Sequence, residues 1–426
     1  MIMQKSKTLA INGGKASRTR KNPPAFPGGL ALDGLEEQAV LEVLRSKKLF
    51  RYYGPYPAPS RVEEFEKAFA SATATQYALG LNSCTNALMI ALLAAGVQPG
   101  DEVIVPAYTF VASAAAVVAA NAIPVIAEID ESFTLDPQSL EKNITPKTKA
   151  VIPVHMRGVP CDMDAILALA RKHRLKVIED AAQANGGSYH GRPLGSLGDA
   201  GCFSFQYHKI ITAGEGGAIT TNDKNLLNRA QSLHDTGASW RFFSEGPEEK
   251  GPYTYFPGFN CRMNEITGAI LQVQLKKRDK LIAVMRGHAA RIQETLRNIP
   301  QIKLRRLHDP AGDVGVCVMF LVESKAQAMA AARAIQAEGI DAGTLGNKHV
   351  PDWHIYSHWD HILNKRGNND SGFPFTLTQR TYSKDMCPLS LQRLESMIHV
   401  ELSPWLTKPD VEEICDGLEK VLTQIL

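Results

Sequence analysis

No run of the ~20 apolar residues that a membrane-spanning helix needs occurs in the 426-residue chain. Nor is there an excess of either charge. Lys and Arg total 47 and Asp and Glu total 44, a formal balance of +3 that gives no footing for nucleic acid or another polyanion. Cysteine is sparse and unpatterned: the seven residues, Cys84, Cys161, Cys202, Cys261, Cys317, Cys387 and Cys415, form no CxxC and are odd in number. A disulfide framework and a structural zinc site are thereby disfavoured, and a reduced, cytoplasmic protein without a metal is expected. The basic residues Lys5, Lys7, Lys15, Arg18, Arg20 and Lys21 have no apolar run behind them, so no secretory signal is expected.

Hydrophobic residues make up 44% of the chain, enough for a sizeable core, and the length suggests two domains. Residues 1–30 are basic and rich in Pro and Gly, and read as an N-terminal arm that orders on a partner subunit. Ser60-Arg-Val-Glu63 has capping-box spacing ahead of Val62, Phe65 and Phe69 on one helical face. Short apolar runs then alternate with helical patterns. Strands are expected at Tyr77–Leu81, Glu102–Pro106, Pro124–Glu128, Ala150–Val154 and Leu175–Glu179. Helices are expected at Thr85–Ala95, Ala112–Ala120 and Met163–His173. Strands apolar on both faces and separated by helices imply a mostly parallel sheet in a three-layer α/β domain. That large domain is assigned to 31–280. A long helix is expected over Glu265–Asn298. Residues 281–426 read as a smaller α+β domain, with strands at Ile302–Leu307 and Val314–Val322 and a helix at Ala326–Glu338. The polar, aromatic stretch Lys348–Gly367 reads as a long loop or a set of short helices.

Three segments carry chemistry. In Cys202–Gly217 (CFSFQYHKIITAGEGG) Lys209 lies among apolar and small residues, ahead of a glycine-rich turn. Burial lowers an ammonium's pKa and suits Schiff-base chemistry, although a solvated loop lysine would share the pattern. In Val177–Gln183 an apolar strand ends on Asp180. Ligands of open α/β sheets gather at such strand ends, and an aspartate there can pair with a protonated pyridine nitrogen or simply cap the next loop. Asn82–Leu88 joins a strand to a helix through Ser83, Cys84 and Thr85. Its free amides suit a phosphate, or Ser83 or Thr85 is an ordinary N-cap.

Taken in order, these segments resemble the DegT/DnrJ/EryC1/StrS aminotransferases, which have the type I pyridoxal-phosphate (PLP) fold. The resemblance spans about residues 30–280. It rests on Gly54-Pro55, Ser83-Cys-Thr85, Pro106-Ala-Tyr-Thr-Phe110-Val-Ala, Val154-His155 with Gly158, Glu179-Asp180-Ala-Ala-Gln183, Ser204-Phe205 with Lys209, Gly214-Glu-Gly-Gly217 and Gly258-Phe-Asn260-Cys-Arg262-Met263. It implies that Lys209 bonds the cofactor and shuttles the proton, and that Asp180 pairs with the pyridine nitrogen. It further implies that Gln183 lies near the phenolic oxygen, and that Phe110 stacks on the ring. The Cys84 and Thr85 amides, with the Thr85 and Ser204 hydroxyls, would cradle the phosphate. Asn260 would reach the phosphate of a neighbouring subunit, making a homodimer with shared sites. The reaction implied is ping-pong transfer of an amino group from glutamate or glutamine to a keto sugar, keto cyclitol or ulosonic acid.

The chain departs from the family at three positions: Cys84 replaces a usual glycine, His208 precedes the lysine, and Arg157 follows His155-Met156. Arg157 reads either as a structural ion pair or as an anion contact for a substrate carboxylate or phosphate. PLP-dependent sugar dehydratases of the same family carry histidine in the lysine slot. Here that slot holds Lys209, with His208 one place before it. A non-catalytic PLP-binding regulator is a further alternative, but no DNA-binding segment accompanies the catalytic set. Asp352-Trp-His354, His358-Trp359 and Glu401-Leu-Ser-Pro-Trp405 resemble a branch that aminates eight-carbon ulosonic acids and 3-keto hexose phosphates. Trp353, His354, His155, His208 and Arg157 are the candidate substrate contacts, although Trp353, His354 and Trp359 would serve equally as packing residues. An anionic sugar acceptor is expected on this basis.

Overall fold

Val103, Ile104 and Val105 are fully buried, as are Ile178 and Phe203, because each lies on a strand covered on both faces. The computed structural model describes residues 8–25, 27–52, 60–237, 256–345, 351–367 and 370–426. The Gly54-Pro55 motif and the start of the 348–367 stretch fall outside these. The large sheet has seven strands. They are β1 (Tyr77–Leu81), β2 (Glu102–Pro106), β3 (Ile123–Ala127), β4 (Thr148–Val151), β5 (Lys176–Asp180), β6 (Ala200–Ser204) and β7 (Gly217–Thr221). Their spatial order is β1-β7-β6-β5-β4-β2-β3. The pairs from β6 to β3 are parallel, and β7 alone runs antiparallel to both its neighbours. This is the expected mostly parallel α/β sheet. One edge of it carries the carboxyl ends of β1, β2, β4, β5 and β6 and the start of β7.

The expected helices form at Cys84–Ala94, Ala112–Ala119 and Met163–His173. The Arg61–Ala72 helix is capped differently from the sequence pattern. Ser60 Oγ accepts from Glu63 N (3.2 Å), but the reciprocal carboxylate comes from Glu265, which accepts from Ser60 Oγ (2.5 Å) and Arg61 N (2.6 Å). Glu63 turns instead to Lys67 (2.7 Å). A long-range carboxylate thus ties this helix to the start of the Glu265–Leu296 helix.

The second sheet has four strands: β8 (Lys303–Leu304), β9 (Cys317–Leu321), β10 (Ala342–Gly343) and β11 (Met397–Glu401), in the order β8-β9-β11-β10. Side chains alternate across it. Val318, Phe320, Ile398 and Val400 pack with the Lys325–Ala337 and Lys408–Ile425 helices and with Ile292 and Leu296. Cys317, Met319 and Met397 face the core of the large sheet. Residue 280 lies inside the unbroken Glu265–Leu296 helix, and Ile355, Tyr356, Trp359, Phe375 and Cys387 return to the large-sheet core. Within the segment read as an N-terminal arm, residues 9–22 dock on the chain's own C-terminal part. Leu9 enters its core, Ala10 N (2.8 Å) and Ser17 N (2.7 Å) donate to the buried Glu338 carboxylate, and Arg18 pairs with Asp410.

Candidate active site

The strand ends place the chemistry-bearing residues on one side of the sheet, where backbone groups leave the ladder and become available to a ligand. Asp180 is the last residue of β5 and is buried, 5% exposed. Its Oδ2 accepts from Ser113 Oγ (2.8 Å) and its Oδ1 from Ala182 N (3.1 Å). Burial raises its pKa, and these hydrogen bonds with the nearby Lys209 charge offset that only in part. It has no ion pair among the described residues, so the pocket holds a carboxylate that still lacks a cation. Lys209 follows β6, its backbone fixed by Lys209 N to Gln206 O (2.9 Å) and Gly28 N to Lys209 O (3.1 Å). Burial lowers its pKa against the opposing pull of Cys84, Asp180 and Glu215. Its Nζ has no hydrogen bond or ion pair among the described residues.

The turn after β1 supplies the third component. Ser83 caps the Cys84–Ala94 helix through Oγ to Asn86 N (3.2 Å), and the first-turn amides of Cys84 and Thr85 are left without an acceptor among the described residues. The backbone of Ser83 lies so close to Gly217 that a Cβ there would sit 2.4 Å from the Ser83 carbonyl and 2.6 Å from Cys84 N. Glycine at 217 is therefore a condition of bringing the amide turn beside β7. Ser204 is buried at the end of β6, its Oγ accepting from Gln206 N at 3.4 Å.

Phe110 is 47% exposed at the rim, its ring 5.3 Å from the His354 imidazole. His354 is held by Asp352 (Nδ1 to Oδ1, 2.8 Å), and its carbonyl accepts from Thr109 N (2.9 Å), while Val111 N donates to the Trp353 carbonyl (2.9 Å). The C-terminal segment is therefore stitched to the strand end that carries Phe110. Trp353 is 45% exposed, whereas Trp359 is fully buried and donates Nε1 to the Trp353 carbonyl (2.9 Å). His155 is fully buried. Cys161 N donates to its Nδ1 (3.2 Å), so Nε2 carries the proton and donates to Glu179 Oε2 (3.0 Å). Glu179 also accepts from Gly195, Leu197 and Gly198 amides at 2.7–2.8 Å, which makes this pair a support beneath the strand ends. His208 is exposed and bonds Gln206, whereas Lys209 is near enough to Asp180 to feel its charge. Asn260 is exposed and bridges to Asp235.

Arg157 is committed. Its Nη1 meets Glu401 Oε1 (2.5 Å) and its Nε donates to Tyr108 Oη (2.8 Å), so its charge is already matched within the protein. Gln183 accepts from Arg157 N (3.0 Å). No role was expected from sequence for Ser113 or Tyr108, and Glu401 entered only as the first residue of the Glu401-Leu-Ser-Pro-Trp405 motif. Ser113 had a signal, as the one hydroxyl in the Ala112–Ala119 run ASAAAVVA. The pairing of Glu401 with Arg157 had none, since nothing local ties the two positions together.

The donor set matches one group. An unpaired buried carboxylate suits a protonated ring nitrogen, an unpartnered amine suits an aldehyde carbon, and a pair of free helix-start amides suits a phosphate. These features fit a PLP-dependent enzyme. The chain belongs to the DegT/DnrJ/EryC1/StrS aminotransferase family, whose sequence profile matches residues 31–363, well past the 30–280 stretch that the motifs cover. The spore coat polysaccharide biosynthesis protein SpsC of Bacillus subtilis (strain 168) is 34% identical over 93% of this chain and 97% of its own. L-glutamine:2-deoxy-scyllo-inosose aminotransferase of Streptomyces lividus is 39% identical over 70% of each chain. Among solved structures, S. venezuelae DesV in complex with a ketimine intermediate superposes with a TM-score of 0.76 at 30% identity. That match covers 95% of this chain and 99% of DesV.

Proposed function

We propose that this enzyme transfers an amino group from glutamate or glutamine to a keto sugar or keto cyclitol, with Lys209 and Asp180 as its catalytic pair. The observation that carries the reading is that the strand ends bring together Lys209, the buried Asp180 carboxylate and the helix-start amides of Cys84 and Thr85, with no ion pair at Lys209 or Asp180 among the described residues. PLP, when bound, supplies an aldehyde carbon that bonds amines and a cationic ring that draws electrons from the substrate carbon. Asp180 would accept from the protonated ring nitrogen, the helix-start amides and Ser204 would hold the phosphate, and Phe110 would cover one ring face. Lys209 Nζ, whose ammonium is disfavoured by burial, takes the proton from the donor's α-carbon. Exposed Asn260 is assigned to the neighbouring subunit's phosphate, so the working unit is a homodimer in the cytoplasm. His354, Trp353 and His208 remain the acceptor-side candidates. Because Glu401 already matches Arg157, a carboxylated acceptor finds no free cation there, and neutral keto sugars are expected to be turned over at least as well.

Borohydride reduction of the PLP-loaded protein, followed by peptide mapping, tests the centre of this reading. The adduct is expected on the peptide containing Lys209, and an adduct elsewhere overturns the assignment. A panel of neutral and carboxylated keto sugars with glutamate or glutamine tests the acceptor class. Strict dependence on a carboxylate would contradict the expectation for Arg157.

A further inference from the structure

Arg157 does something that the pairing of its side chain does not reveal. It adopts φ 52° and ψ 40°, a left-handed conformation that is disfavoured for a non-glycine residue. That turn aims its backbone N–H at Gln183 Oε1, 3.0 Å away. A backbone N–H can only donate, so the atom it meets must be the carbonyl oxygen, and the amide orientation of Gln183 is settled without ambiguity. Gln183 Nε2 then points the other way, with no partner among the described residues. The guanidinium, in a side chain 12% exposed, is clamped between Tyr108 Oη and Glu401 Oε1, with His399 Nε2 3.3 Å from that same carboxylate oxygen and Cys317 and Arg305 close by.

We infer that Arg157 is a positioning residue: its clamped, left-handed turn fixes Gln183 as a hydrogen-bond donor toward the cofactor's phenolic oxygen, and Glu401 of the second sheet holds that turn in place. The inference rests on the placement of Gln183 beside the phenolic oxygen in the proposed site. It gives Arg157 a task within the proposed reaction. It also ties the small sheet to the electronic state of the cofactor, since a donor at that oxygen favours its anion.

The test uses the PLP-loaded enzyme and reads the pH midpoint of the bound cofactor's visible absorption band, together with the affinity of the apoprotein for PLP. Gln183→Leu removes the donor. A hydrogen bond to a charged group is worth about 1.5–3 kcal/mol, so the midpoint should rise by about 1–2 pH units. If it does not move, Gln183 does not face the phenolic oxygen, and the inference fails with that placement. Arg157→Ala should raise the midpoint in the same direction and weaken PLP binding, yet add nothing in the Gln183→Leu background. Additive shifts, or no shift beside a responsive Gln183→Leu, would overturn the inference while leaving the placement intact. Glu401→Ala separates position from charge and does not depend on the Arg157 variant folding. Unmasking the arginine charge alone would lower the midpoint, whereas loosening the turn raises it. A rise is expected, and a fall or no change would reject the role.

Discussion

At position 209 a primary amine is held where burial disfavours its ammonium, with Cys84, Asp180 and Glu215 pulling less strongly the other way. Without cofactor this is a cost to the fold. Lys209→Met should therefore abolish turnover, by at least the ~10²–10⁴ typical of a lost proton-transfer group, and also raise the stability of the apoprotein. The sign follows from linkage. A folded-state lysine value below the unfolded 10.5 means that the unfolded chain binds the extra proton, so the penalty is full below the folded value and vanishes above 10.5. Urea unfolding of the apoprotein should show a clear gain for the methionine variant at pH 7 and a smaller one at pH 10. Equal stability at pH 7 would mean that the amine is solvated. Asp180→Asn keeps the shape but not the charge, and removes a charge-assisted contact to the ring. Turnover is expected to fall about 10- to 100-fold. An unchanged rate would mean that another group keeps the ring protonated.

At the level of elements, the site depends on how closely the turn after β1 approaches the start of β7. A methyl group at position 217 would fall 2.4 Å from the Ser83 carbonyl, against backbone that cannot swing aside. Overpacking of this kind costs about 1–3 kcal/mol, so Gly217→Ala should weaken PLP binding to the apoprotein by about 10- to 100-fold. Gly287, on the Glu265–Leu296 helix with open space where its Cβ would go, provides the control. Gly287→Ala should bind PLP normally and gain about 1 kcal/mol of stability. Normal PLP affinity in Gly217→Ala would show that the amide turn does not hold the phosphate. This geometry also explains what was legible in advance. Gly214-Glu-Gly-Gly217, Asp180 and Ser83-Cys-Thr85 each sit at a strand end, and β2, β5 and the Met163–His173 helix fall within a residue of expectation because period and punctuation are local signals. The Glu265 cap on the Arg61–Ala72 helix and the Glu401 clamp on Arg157 were illegible. Each joins residues far apart in the chain, and no local pattern carries such a pairing.

For the molecule as a whole, the N-terminal segment is the piece whose attachment the basic, glycine-rich sequence concealed. Its charges are not spread over a free arm. Arg18 is buried against Asp410 and near Glu413, and the Glu338 carboxylate, itself out of solvent, gathers Ala10 N, Ser17 N, Ser17 Oγ and Lys420 Nζ. Burial alone would raise both carboxyl values. Thr407 and Arg18 outweigh it at Asp410, and the Ala10, Lys420 and Ser17 donors outweigh it at Glu338, so both end below their ordinary values of 3.8 and 4.5. A depressed folded value means that the stabilisation is present above those ordinary values and lost as pH falls beneath them. The latch should therefore be firm at neutral pH and loosen below about pH 4. Hydrogen exchange at Ala10, Ser17 and Arg18, corrected for intrinsic rates, should lose protection there before the β9 and β11 amides do. Arg18→Ala should weaken the latch at pH 7 by about 3 kcal/mol, since among the described residues it leaves the buried Asp410 carboxylate with the half-exposed Arg20 as its one cation beside the Thr407 donors. If residues 10–18 exchange as slowly at pH 3.5 as at pH 7, or if the variant protects them fully, then apolar docking through Leu9 holds the segment and the ion pairs do not.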